Sequence, residues 1–469
     1  MKKKLNIILG LLLTAAVFFG CQDRSELAGV NPQVTLSGNV DVSKYVSIGN
    51  SLTAGYQSSA LYQSAQQYSY PNLIAKQGGY GGFAQPLISD PGIGGRIKIV
   101  SLDPFVTATD PSSGVPLALT YGAPYDNLGI PGVVLGDVMN STTTSGSYSK
   151  SPFIDIILRG QGTQWQQTKV QQPSLITLWI GNNDVLGFAT SGGAKPTSPT
   201  PSATFGFLYG QLADSLAATG AKVVVANIPN VTAIPFFTTV GPGFAQMLIA
   251  AGAQGFYYQD HNFVPTAGAP AQLSGGQLLL TLVSQSYIAY FGRPSGKFYK
   301  DNNLNPALFG VDTTKPFGAS LQNPIPNALI LDAGEISTAN QATTDFNTAI
   351  TNAVTKYPSQ FALVDVNSLF NSIRASDATG GTTYNGVKFT TTFVTGGLFS
   401  LDGVHPTAQG QAIVANEFLK VINDKFGSSY PLIDVSAIPG SLTLAKKGAI
   451  NLFEKGAYLD PNAYKNILF

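Results

Sequence analysis

The sequence predicts a three-layer α/β/α sandwich on a parallel sheet of about five strands, with large loop insertions. Three observations carry this. Apolar runs such as Ser174-Leu-Ile-Thr-Leu-Trp-Ile180 lack polar alternation, as strands covered on both faces do. Stretches with helical spacing lie between them, and strands alternating with helices argue for a parallel sheet. Glycine (51 residues) and proline (29) are plentiful enough to supply long loops.

The elements follow in order. Lys2, Lys3 and Lys4 head the chain, and Leu5 to Phe19 is an apolar run too short to span a bilayer comfortably. Residues 1–20 therefore read as a signal peptide. Cys21 is the only cysteine, so no intramolecular disulfide forms. Residues 21–42 are polar and mixed, and read as a tether. Lys44 to Ile48 is a β-branched strand ending at Gly49. Residues 56–123, rich in Gly, Pro, Tyr and Ser, read as a long irregular insertion. Asp126 to Gly132 is a strand end running into a glycine turn. Ser174 to Ile180 is a buried strand that runs into Gly181-Asn182-Asn183-Asp184. Phe205 to Thr219 has helical spacing (Phe207, Leu208, Leu212, Leu216), with Gly220 as its stop.

Lys222 to Ile228 is a further strand. A second insertion, about 236–324, carries Phe256, Tyr257, Tyr258, Phe298 and Tyr299. These aromatic residues either line an acyl or sugar groove or form the core of an added subdomain. Thr343 to Tyr357 reads as a helix, Phe361 to Val366 as a strand and Thr407 to Phe426 as a long helix. Residues 428–469 form a C-terminal extension of unknown role. Length alone suggests roughly three domains. One domain over 43–427, enlarged by the two insertions, is the reading adopted.

Composition narrows the function. Charged residues are 11% of the chain, against a usual level of about 25%, and the net charge is +1. No basic stripe points to nucleic acid. One cysteine and two distant histidines do not make a usual zinc set. No glycine-rich nucleotide motif follows a strand, so no cofactor is expected.

The residues suited to chemistry are few. His405 lies in Asp402-Gly403-Val404-His405-Pro406, and imidazole is the side chain best placed to move protons near neutral pH. Asp402, three residues earlier, can orient it. A serine hydroxyl needs such a base to become a nucleophile. Ser51, in Gly49-Asn50-Ser51-Leu52, follows a predicted strand. In open α/β sheets, ligands bind where strands end. Loops at Gly49–Ser51, Leu128–Gly132 and Gly181–Asp184 all follow strands and can converge there. The backbone N–H groups of Ser51 and Gly132 and the side-chain amide of Asn183 are suitable donors for a developing oxyanion. His261, in Asp260-His261-Asn262, is the competing histidine and reads as a loop residue. Taken singly, each segment is also an ordinary turn or cap.

Together, the four segments resemble the blocks of the SGNH (GDSL-type) esterase and lipase family. The order and rough spacing match over most of 43–230 and 326–427. The resemblance implies Ser51 as nucleophile, Asp402 and His405 as its triad partners, and Ser51, Gly132 and Asn183 as the oxyanion hole. Asn50 stands where that family has Asp, a nearly isosteric change that removes a charge. Gly20-Cys21 after an apolar segment resembles the lipobox of bacterial lipoproteins, although Phe18 and Phe19 replace the Leu and small residue found there. That resemblance implies lipidation of Cys21; ordinary secretion with an incidental cysteine is the alternative. The expectation is a serine ester hydrolase of the bacterial cell envelope, held as an outer-membrane lipoprotein. It would cleave esters of acyl lipids or acylated carbohydrates without a cofactor or metal. A lipoprotein that binds glycan or lipid on an inactive scaffold of the same fold is the second expectation.

Overall fold

A computed structural model describes residues 40–194, 198–440 and 450–464. Cys21, the signal segment and most of the tether lie outside the described residues. The central sheet has five strands: β1 (Tyr45–Gly49), β2 (Asn127–Gly129), β3 (Leu175–Trp179), β4 (Lys222–Ala226) and β5 (Phe361–Val364). Their spatial order is β5-β4-β3-β1-β2 and every pairing is parallel. All residues of β1 and β3 are buried, which explains their unbroken apolar runs.

Helices cover both faces. The main ones are α1 (Ser51–Ala54), α2 (Tyr70–Gln77), α3 (Asn182–Thr190), α4 (Ser202–Ala217), α5 (Ala333–Lys356), α6 (Val366–Ser376) and α7 (Ala408–Phe426). The chain is thus an α/β protein with a five-stranded parallel sheet between helical layers, as the sequence predicts. In this strand order the connections leaving β1 and β3 diverge, and a crevice opens at the ends of those two strands. Ser51 and Asn183 follow those strands directly.

Two sequence-based expectations need correction. The 56–123 segment is not wholly irregular. It contains α2, which buries Tyr70, Leu73 and Ile74, and Tyr70 stacks on Phe418 of α7 with ring centroids 4.7 Å apart. It also contains an antiparallel hairpin, Ile97–Leu102 with Phe105–Thr109. The helix expected at Thr343 starts ten residues earlier, at Ala333. Asp332 caps it by accepting from the Gly334 and Glu335 N–H groups, and Glu335 reaches back to the Asp332 N–H at 2.8 Å.

The aromatic residues of the second insertion resolve the choice left open above. Phe244, Phe256 and Phe291 pack edge to face at 5.1–5.5 Å, with Phe256 and Tyr258 buried. They belong to the main hydrophobic core, with Phe291 packed against it.

Candidate active site

The site is built from three turns. At the first, β1 ends in Gly49 and α1 begins at Ser51. A β-carbon at Gly49 would stand 2.0 Å from the Thr53 hydroxyl and 2.5 Å from the Trp179 carbonyl, so only glycine permits so tight a turn. Asn50 caps α1, its side-chain oxygen accepting from the Leu52 N–H at 3.0 Å. Its amide also donates to the Asn182 side chain at 3.2 Å, which ties the first turn to the second.

At the second turn, β3 runs through Gly181 into α3. The Asn183 amide donates to the Val133 carbonyl at 2.8 Å. A carboxamide carries two N–H bonds, so this contact orients the group and leaves one donor over. Gly132, beside Val133, has φ +83°, a left-handed conformation that suits glycine. Asp184 pins this loop: it accepts from the Leu135 N–H and the Thr200 hydroxyl, both at 2.8 Å. Burial pushes its carboxyl up to about 7.

The third turn carries Asp402 and His405. Gly403 has φ +71°, and the Ser400 N–H donates to the His405 carbonyl at 2.8 Å, which closes the turn. One Asp402 oxygen accepts from the Val404 and His405 N–H groups at 2.9 and 2.8 Å. The other faces His405 Nδ1 at 3.0 Å and accepts from the Ser59 N–H at 3.0 Å. Four donors fill the carboxylate's acceptor positions. Burial raises this carboxyl, but the His405 ring and the backbone donors outweigh it and hold it below the usual carboxylate range.

These turns meet across the sheet edge. His405 Nε2 lies 2.8 Å from Ser51 Oγ. Since the Asp402 carboxylate is the acceptor at Nδ1, that nitrogen carries the proton, and Nε2 accepts from the serine hydroxyl. The Tyr56 ring packs on the imidazole, with centroids 4.9 Å apart. Beside the pair lies an apolar slot lined by Leu186, Val231, Ile234, Phe370, Phe399 and Val404 together with Ser51, Asn183 and His405. Its cavity volume is about 40 Å³, and every residue lining it is buried.

Residues 294–418 match the GDSL-like lipase/acylhydrolase family. Over those residues the chain is similar to that family. The similarity supports hydrolysis of ester or acyl bonds. The match spans the Asp402–His405 turn, while Ser51, Gly132 and Asn183 lie outside it. No curated protein matches the chain.

Of the residues singled out in the sequence, Ser51, Asp402 and His405 form one hydrogen-bonded chain, and Asn183 shares their slot. Gly132 adjoins Val133, the carbonyl that holds Asn183, but does not line the slot. His261 lies apart: it pairs with Asp332 at 2.6 Å on the α5 cap and is half-exposed. Among the described residues, no cluster of three or more His, Cys, Asp or Glu side chains could hold a metal ion. No helix among them is long and apolar enough to cross a membrane. Sequence reasoning missed Tyr56, Ser58 and Ser59, because residues 56–123 read as a remote loop. Two consecutive serines carry no signal for the conformation they adopt.

Proposed function

We propose that this protein is a serine esterase that cleaves carboxylic esters of a single aliphatic acyl group. The observation that carries the reading is the continuous relay from Ser51 Oγ through His405 to Asp402, set beside an apolar slot. Ser51 attacks the ester carbonyl as His405 Nε2 takes its proton. The imidazolium, stabilised by Asp402, then protonates the leaving alkoxide. Water activated by His405 hydrolyses the acyl-enzyme and regenerates the serine.

The developing oxyanion would meet the Ser51 N–H, the Gly132 N–H and the spare N–H of Asn183. Among the described residues, neither of those backbone N–H groups donates to an acceptor. The slot walls favour an alkyl chain over an acetyl group, since each buried methylene contributes about 0.8 kcal/mol. We further propose that acylated Cys21 anchors the protein in the bacterial cell envelope as an outer-membrane lipoprotein, with residues 22–42 as its tether.

A panel of esters of graded acyl length tests the substrate class. We expect kcat/KM to rise about fourfold per methylene from acetyl until the slot is full. A flat profile, or a preference for acetylated sugars, would overturn the aliphatic assignment. Labelling of Ser51 by a fluorophosphonate tests the mechanism itself, and its failure on the folded protein would sink it. Cys21→Ala is expected to move the protein from the membrane fraction to the soluble one.

A further inference from the structure

We propose that the turn Gln57–Ala60 positions Asp402, and that Ser59 is the residue that holds the carboxylate in place. The inference rests on the serine-esterase reading above.

Gln57 and Ala60 exchange backbone hydrogen bonds at 3.0 and 3.2 Å, with Ser58 and Ser59 between them at φ +52° and +62°. Two consecutive left-handed residues make the type I′ turn, which ordinarily selects Asn-Gly because a β-carbon is disfavoured there. Here two serines hold it, and their surroundings supply the reason. The Ser58 N–H donates to Ser400 Oγ at 3.0 Å, and Ser58 Oγ accepts from the Leu401 N–H at 3.4 Å. The Ile97 N–H donates to the Ser58 carbonyl at 2.9 Å, which braces the turn from behind. The Ser59 N–H then reaches Asp402 Oδ2, the oxygen that faces His405.

Every other donor to Asp402 among the described residues comes from its own turn, Val404 and His405. Ser59 is thus the donor that ties the carboxylate to another part of the protein. That part is the segment bearing the nucleophile. The Tyr56 N–H donates to the Ser51 carbonyl at 3.0 Å, so Ser51 and Ser59 sit on one short, internally bonded stretch. The stretch grips both ends of the relay, and His405 is held between them. Among the described residues the buried Ser59 hydroxyl has no hydrogen-bond partner, so the backbone N–H and not the side chain performs the task.

The test compares two substitutions at one position. Ser59→Val places a β-branched residue at positive φ, which displaces the N–H. Ser59→Gly keeps the N–H and suits the conformation. We expect the valine variant to lose about 10- to 100-fold in kcat with KM unchanged, and to be labelled by a fluorophosphonate correspondingly slowly. The glycine variant is expected to rescue most of both. Should Ser59→Val not fold, Ser400→Ala decides, because it removes the acceptor of the Ser58 N–H: a three- to tenfold fall in kcat at constant KM is expected. Wild-type kcat in a folded Ser59→Val protein, or in Ser400→Ala, would overturn the proposal, as would equal losses in the valine and glycine variants. Absence of labelling in the wild-type protein would instead count against the esterase reading.

Discussion

Both histidines of this chain sit against a carboxylate, and only the third partner distinguishes them. His405 lies between Asp402 and a serine hydroxyl; His261 lies between Asp332 and the Asn262 amide. Ser51→Ala and His405→Ala should therefore each lower ester hydrolysis by on the order of 10⁴ or more. His261→Ala should leave kcat/KM within about twofold, and initial-rate kinetics on one ester measures all three. Asp184 offers a test of a different kind. Its carboxyl is raised from 3.8 to about 7 in the folded protein, so between about pH 4 and 7 the folded state binds more protons than the unfolded one. Stability falls as pH rises through that window, to the extent that Asp184 sets it. Asp184→Asn mimics the protonated group and should flatten the fall, read as denaturant midpoints at pH 4.5 and 7.5. Glu335, also raised to about 7, contributes the same sign, so the slope should shrink and not vanish.

Short elements hold this site, and α1, with four residues, is the shortest of those labelled. Its cap therefore matters beyond helix stability. Asn50→Ala removes the cap, worth about 1 kcal/mol, and strands the buried Asn182 oxygen, worth about 1–3 kcal/mol. Asn50→Asp keeps the cap, and the Asn182 amide can turn over to donate. We expect a loss of about 2–4 kcal/mol for the alanine variant and under about 1 kcal/mol for the aspartate, measured by denaturant unfolding. The aspartate result bears on the departure from the family pattern noted at this position. At this scale the sequence was legible wherever burial was continuous. The strands after Lys44, Ser174, Lys222 and Phe361 announce themselves because both sheet faces are covered. The first turns of α5 escaped because Gly334 and a polar run mask the periodicity, although Asp332 and Glu335 form a capping pair. Helix α2 escaped because its apolar face has meaning only against α7.

Across the whole molecule, the two insertions and the chain end are joined. The Thr107 N–H donates to the Tyr458 carbonyl, Ser286 Oγ to the Leu459 carbonyl and Gln285 to the Leu452 carbonyl. The Tyr464 hydroxyl donates to the Leu401 carbonyl at 3.4 Å, one residue from Asp402. Leu452, Leu459 and Tyr464 are buried. Deleting the chain from Ile450 onward should cost about 4–8 kcal/mol as an upper bound from the buried side chains. A large fall in the denaturant midpoint, with loss of activity, is the expected result. None of this was legible in the sequence. Asp402 and His405 could be paired by their spacing, and Ser51 by the strand before it. The contacts made by Ser59 and Tyr464 join residues hundreds of positions apart, and no local pattern encodes them.

That separation has a consequence for how the protein comes to life. Ser51 and His405 are 354 residues apart, so the bond between them closes a loop spanning most of the chain. Contacts this distant in sequence form late and slowly. A chain that has emerged only through the Ser51 segment lacks the imidazole its hydroxyl bonds to until the Asp402–His405 turn has been made. The relay therefore cannot assemble on any fragment that stops short of residue 405.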